Sequence, residues 1–280
     1  MNPEDYPPQE PISDFARPYH EETMRRAEGL EGIEAVHGED PYQSVVLFPA
    51  PDPSGDVLAF IHGGAWTNGY KEWMSFMAPA LTQRGVTFAS LGYRLAPMHL
   101  FPSGFDDCAD GIKWLCNNVN EHGGDPNRLF VGGHSAGGHY SALLAVTRAW
   151  RRDRDLPEDV VGGCLPISGV FDFRDGGGMS TRPRFLGPAD SDNDAKASPI
   201  ANIDGTPPPF LLTWGEKDFP HLIEQAEHMQ GALADAGGDV ETLVIDEQDH
   251  LGASLAAGDE HEDWIDRAVD WMRAHQAGIG

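Results

Sequence analysis

Val131-Gly132-Gly133-His134-Ser135-Ala136-Gly137-Gly138 is an apolar run that breaks at a serine between glycines and continues as an Ala- and Leu-rich segment. When G-x-S-x-G joins a strand to a helix, the chain bends so sharply that the serine backbone is strained and a Cβ on either flanking glycine would collide. Gly133 and Gly137 meet that need. A strand is predicted over Arg128 to Gly132 and a helix over Ala136 to Arg151, with Ala142, Leu143, Ala145 and Val146 at helical spacing. A chain with 33 glycines offers roughly 0.2 chance matches to the pentapeptide, so the flanking strand and helix carry the reading. Ser135 is the candidate nucleophile, against the alternative of an ordinary helix-capping serine at a glycine turn.

Upstream of this elbow, Val57 to Ile61 and Val86 to Leu91 are short continuous apolar runs of the kind found in strands covered on both faces. Between them Glu72 to Arg84 places Trp73, Met77, Ala80 and Leu81 on one helical face, and Phe105 to Asn118 also reads as helix. Ile33 to His37 and Ser44 to Phe48 are β-type runs separated by a turn. The first twelve residues hold four prolines and read as an extended arm, followed by a charged helical stretch from Ser13 to Arg26. Downstream, Val160 to Ser168 and Phe210 to Trp214 are buried strands, Leu222 to Ala236 a helix, Glu241 to Ile245 an edge-like strand and Asp259 to His275 a terminal helix. Strands alternating with helices predict one α/β domain over residues 1–280, built on a mostly parallel sheet with helices on both faces. Residues 1–30 and the irregular Gly- and Pro-rich stretch 169–209 are expected to form a small cap or lid.

A serine hydroxyl is a weak nucleophile; it needs a histidine to take its proton and a carboxylate to orient that histidine. On the elbow fold these follow in the order Ser, acid, His. Asp218, after the strand ending at Trp214, and His250, after the strand ending at Ile245, fit that order, and both stand just past the carboxyl ends of strands. Glu216, in the same loop, is the rival acid. His134 and His139 read as packing or polar-network residues, and His228, His261 and His275 as solvated helix positions. His62-Gly63-Gly64-Ala65 follows a buried strand and can expose backbone N–H groups to an oxyanion. Gly64, Ala65 and Ala136 are the candidate donors. Trp66, Tyr70 and Phe219 are candidate substrate-binding aromatics, while Trp73 reads as core.

The formal charge of −26, from 45 acids against 19 bases, argues against nucleic acid or an anionic membrane as partner. Cys108, Cys116 and Cys164 form no metal pattern, and the first two lie about 12 Å apart along one predicted helix, beyond disulfide reach. A reducing compartment follows, and with no apolar leader and apolar runs of only about five residues the expectation is a cytoplasmic protein. Phosphate-loop, dinucleotide, zinc-protease and calcium-loop spacings do not occur, so no cofactor and no metal is expected. The expected partner is a small-molecule substrate; a homodimer stays open.

Six stretches carry a family resemblance: His62-Gly63-Gly64-Ala65-Trp66, Ser75-Phe76-Met77-Ala78-Pro79, Tyr93-Arg94-Leu95-Ala96-Pro97, Gly124-Asp125-Pro126-Asn127-Arg128, Gly133-His134-Ser135-Ala136-Gly137-Gly138-His139 and Ala197-Ser198-Pro199-Ile200. Together they resemble the kynurenine formamidase (arylformamidase) branch of the α/β-hydrolases, neighbours of the hormone-sensitive-lipase-type carboxylesterases. His-Gly-Gly-Ala-Trp departs from the H-G-G-G of the lipase-like esterases, and the aromatic after it is similar to the formamidase pattern. The resemblance implies an α/β-hydrolase fold, Ser135, Asp218 and His250 as the triad, and hydrolysis of an aryl formamide such as N-formylkynurenine. The alternative it leaves is a carboxylesterase of short-chain acyl esters. A non-catalytic binding protein on the same fold is the reading from another class.

Overall fold

A computed structural model describes residues 3–174 and 183–275. The eight strands among these residues are β1 (Ile33–Val36), β2 (Ser44–Phe48), β3 (Val57–Ile61), β4 (Thr87–Leu91), β5 (Leu129–His134), β6 (Gly163–Ile167), β7 (Phe210–Gly215) and β8 (Val240–Ile245). They form one sheet in the order β1-β2-β4-β3-β5-β6-β7-β8. β2 runs antiparallel to both β1 and β4, and every later pairing is parallel.

Alternation along the strands explains why the central ones are apolar throughout. Successive side chains point to opposite faces. Val57, Ala59 and Ile61 of β3 meet one half of the core, while Leu58 and Phe60 meet the other. The first face is covered by α3 (Ser103–Asn118), α4 (Ala136–Val146) and α7 (Pro220–Asp235), through residues such as Ile112, Leu143 and Met229. The second is covered by α2 (Ala78–Thr82) and α9 (Asp263–Ala274), through Leu81, Trp264, Val269 and Met272. All eleven residues of α4 are buried, as expected of a helix that is apolar all round.

The expected helix from Glu72 to Arg84 is a correction. A 3-10 segment runs over Lys71–Met77 and α2 starts only at Ala78. Pro79 has no N–H and its ring would strike the carbonyl four residues back, so an α-helix cannot run through it but can begin there. The expected helix after the elbow also ends early, at Val146. Thr147 is extended, and a short α5 (Ala149–Arg152) follows. The Trp150 indole and the Arg151 guanidinium donate to the carbonyls of Leu144 and Ala145, which the end of the helix leaves open. α1 spans Arg17–Ala27, later than expected. α6 (Asn193–Ala197) and α8 (His250–Ala256) were not foreseen.

The order of crossovers locates a crevice. From β3 the chain steps to β4 on one side, then crosses back to β5 on the other, so β3 and β5 flank the point where the winding reverses. Open α/β sheets bind ligands at such a point, past the carboxyl ends of the strands. Part of the stretch 169–209 lies outside the described residues. Of the rest, Phe171, Phe173, Phe185 and Leu186 are buried in the core beside α4 and α7. No helix among the described residues is long and apolar enough to cross a membrane.

Candidate active site

Ser135 stands between β5 and α4 with φ 54° and ψ −115°, a left-handed conformation that a side chain adopts only when its surroundings enforce it. The flanking glycines show the enforcement. A Cβ on Gly133 would lie 2.3 Å from the Gly137 carbonyl carbon, and one on Gly137 would lie 2.0 Å from the Ile61 carbonyl oxygen. Backbone, not a movable side chain, occupies both spaces. Gly137→Ala is therefore expected to destabilise the fold by about 3 kcal/mol, the upper range for overpacking, and to displace the elbow. A urea melt checks this, and a loss under about 1 kcal/mol would show that the elbow yields.

The candidate base and acid are carried by two segments that are stitched together. Glu216 N–H donates to the Ile245 carbonyl at 3.0 Å and Lys217 N–H to the Gln248 carbonyl at 2.8 Å. A Cβ on Gly215 would stand 2.3 Å from the Gln248 carbonyl oxygen, so the approach depends on glycine there. Asp249 then caps α8, accepting from Gly252 N–H at 2.8 Å, and His250 becomes the first residue of that helix. The consequence is a chain of contacts: His250 Nε2 is 2.9 Å from Ser135 Oγ, and His250 Nδ1 is 2.9 Å from Asp218 Oδ1.

Asp218 is buried. Burial by itself would raise its carboxyl, but the hydrogen bond and charge of His250, the Ser168 hydroxyl and the Phe219 N–H outweigh it and hold the group below the usual carboxylate range. Asp218 thus stays ionised and accepts the Nδ1–H of His250, leaving Nε2 free to accept from Ser135. The rival Glu216 is exposed, and its carboxylate accepts from Glu247 N–H at 2.9 Å, away from the histidine.

The His62-Gly63-Gly64-Ala65 turn faces the serine. Gly64, Ala65 and Trp66 all have positive φ, at 113°, 51° and 62°, and a Cβ on Gly63 would stand 3.3 Å from the Ser135 Cβ. Gly64 and Ala65 line the same pocket as Ser135, and Ala136 is the first residue of α4. His62 is buried, stacked on Tyr93 with ring centroids 4.3 Å apart. Burial pushes its pKa down to about 4, so it stays neutral and adds no charge beside the turn.

The pocket in front of Ser135 has a volume of about 450 Å³, within the range of small-molecule sites. Trp66, Trp73 and Phe219 line it, together with Ile12, Phe15 and Tyr19 of the N-terminal segment. Glu10 of that segment pairs with Arg184 at the pocket wall. The placement expected for Tyr70 needs correction: its ring packs on Tyr6 and Trp73 outside the lining. Trp73 has both roles, buried in the core and lining the pocket. Trp66 is oriented from behind, since its indole N–H donates to His139 Nδ1 at 3.0 Å while His139 Nε2 donates to the Ala197 carbonyl at 2.6 Å. His139 is thus a polar-network residue, as its sequence position suggested. His275 departs from the solvated placement expected for it, packing on the Trp271 ring at 4.6 Å. A cap role was expected of residues 1–30, but Ile12, Phe15 and Tyr19 were not singled out within it, because no local pattern says which side chains of an arm and its following helix will face a cleft.

A mostly parallel sheet whose winding reverses at β3 and β5, with a serine at an enforced turn joined through a histidine to a buried aspartate, defines an α/β-hydrolase. The BD-FAE family model matches residues 47–233, two thirds of the chain, and the chain belongs to that family, on the hormone-sensitive-lipase-like carboxylesterase side of the superfamily. It is 32% identical over 212 residues to the esterase LipC of Mycobacterium tuberculosis, covering 68% of this chain and 52% of that protein. It is 26% identical over 241 residues to a probable isoprenylcysteine alpha-carbonyl methylesterase of Oryza sativa subsp. japonica, covering 79% of this chain and 58% of that protein. The chain therefore spans little more than half the length of these curated relatives. Among solved structures it is similar to a bacterial heroin esterase, with TM-score 0.76 and 25% identity over 96% of this chain and 95% of that one. The thermostable carboxylesterase EstE1 shares the fold, with TM-score 0.75 and 20% identity over 94% and 97% of the two chains.

Proposed function

We propose that this protein is a serine carboxylesterase that hydrolyses small acyl esters through an acyl-enzyme. The observation that carries the reading is the unbroken line Ser135 Oγ, His250 Nε2, His250 Nδ1, Asp218 Oδ1, with 2.9 Å at each hydrogen bond, at the floor of a pocket with aromatic walls. In this reading Ser135 Oγ attacks the ester carbonyl carbon as its proton passes to His250 Nε2, and Asp218 stabilises the imidazolium that forms. The N–H groups of Gly64, Ala65 and Ala136 hold the oxyanion. Collapse of the tetrahedral intermediate breaks the bond to the alcohol, which leaves with the proton from His250. Water, deprotonated by the same histidine, then releases the acid and restores Ser135.

The names of the similar proteins are those of esterases, which favours the ester over the aryl formamide. An aryl leaving group still suits the walls, because a flat ring can pack on the exposed Phe219 and gain from apolar burial against the wall that Trp66 completes. A kcat/KM series over p-nitrophenyl esters from acetate to octanoate, beside N-formylkynurenine, tests both readings. Cleavage of the short esters at least about 10²-fold better than the formamide is expected, within the discrimination that differential transition-state binding can supply. A formamide turned over as well as the best ester would restore the formamidase reading.

A further inference from the structure

His134 immediately precedes the nucleophile, ends β5 and is buried. Its Nε2 lies 2.8 Å from the main-chain carbonyl oxygen of His250. A carbonyl only accepts, so Nε2 carries the proton and Nδ1 is bare. Nδ1 faces the oxyanion turn, where a Cβ on Gly63 would stand 3.0 Å from it. The ring packs between Tyr19 and His250, with centroids at 5.7 Å and 4.9 Å. Burial, then the adjacent His250, push its pKa down to about 3, so the Nε2–H remains a neutral donor at any pH where a histidine base is active.

Two consecutive residues on one enforced turn thus hold the same histidine at two places. Ser135 meets its ring and His134 meets its backbone. The turn is itself anchored, with Ser135 N–H donating to the Ile167 carbonyl at 2.9 Å. Other contacts hold the ring of His250 or its helix: Asp218 on Nδ1, the Phe219 ring at a centroid distance of 5.0 Å, and the Asp249 cap on the Gly252 N–H. Among the described residues, only the bond from His134 ties the base-bearing backbone directly to the residue next to the nucleophile. We infer that His134 is a positioning residue, whose Nε2–H sets the separation between the histidine loop and the elbow at which Ser135 Oγ and His250 Nε2 are within reach. This rests on the serine-hydrolase reading of the site.

The test is steady-state turnover of p-nitrophenyl acetate by the full chain, normalised to sites titrated to completion with a fluorophosphonate. His134→Phe keeps the ring packing and removes the donor. It is expected to lower kcat by roughly 10- to 100-fold with KM changed less than about 2-fold, since a displacement near 1 Å costs about that much in a pre-organised site. His134→Gln can place an amide N–H near the position of Nε2, whereas His134→Asn reaches only as far as Nδ1. Gln should therefore recover kcat to within about 3-fold of the parent while Asn behaves as Phe does, a split that loss of packing alone would not produce. Near-parental kcat in His134→Phe, or equal activity in the Gln and Asn variants, would overturn the assignment. Unfolding of all three would make His134 a stability residue and overturn it as well. Ser135→Ala is measured alongside: activity surviving there removes the serine-hydrolase reading itself, whereas a dead Ser135→Ala with an unaffected His134→Phe removes only the positioning role.

Discussion

Ser135→Ala is expected to lower kcat/KM for a short p-nitrophenyl ester by at least about 10³-fold, in line with loss of a nucleophile that acts as part of a unit. The physical ground is that no other group among the described residues of the pocket has the required surroundings. Ser135 Oγ is 2.9 Å from His250 Nε2, which is backed by an ionised Asp218, and it is half-buried at the pocket floor. The fold should survive, because the left-handed backbone is enforced by the contacts of Gly133 and Gly137 rather than by the hydroxyl. Thermal melting within a few degrees of the parent, together with loss of fluorophosphonate labelling, would complete the result. Retention of more than a tenth of parental turnover would remove Ser135 from the role.

Asp218→Asn is expected to reduce kcat by about 10³- to 10⁴-fold, while Glu216→Gln stays within about 3-fold of the parent. An amide at Asp218 can turn its N–H₂ toward His250 Nδ1 and favour the tautomer in which Nε2 carries the proton. His250 then has nothing with which to accept from Ser135. Glu216 sits two residues away but accepts from the Glu247 N–H, a contact that the amide oxygen of Gln can still accept, so the substitution removes a charge from an exposed loop and no part of the proton path. Initial rates for both variants on one ester decide the matter, and the reverse ranking would transfer the acid's role to Glu216.

These two outcomes separate what local pattern can say from what it cannot. Gly133 and Gly137 were readable because the need for glycine at a sharp turn is local: the contacts that exclude a Cβ follow from any strand that bends at once into a helix. The buried strands were readable too, since a segment covered on both faces must be apolar at every position, as in Val57–Ile61. The proline that divides Glu72 to Arg84 lay in plain sight, and the apolar period hid its effect. A 3-10 turn followed by a new helix presents nearly the same buried face as a single helix would.

By itself, then, the sequence determined the α/β alternation, the elbow and the glycine-rich turn before Trp66, each set by neighbours close along the chain, and it offered a serine, an acid and a histidine in the order that the elbow fold uses. The sequence put Asp218 ahead of Glu216 as candidate acid, and the tertiary structure adds that it is the Asp218 carboxylate that meets His250. The stitching of the loops at Gly215 and Gln248, separated by more than thirty residues, fixes which carboxylate faces His250. Only the tertiary structure shows that Tyr70 packs outside the pocket, that Ile12, Phe15 and Tyr19 form part of its wall, and that His134 reaches the backbone of His250. Such facts depend on where segments distant in sequence meet, and that is settled by the packing of the whole core, to which no short stretch of residues has access.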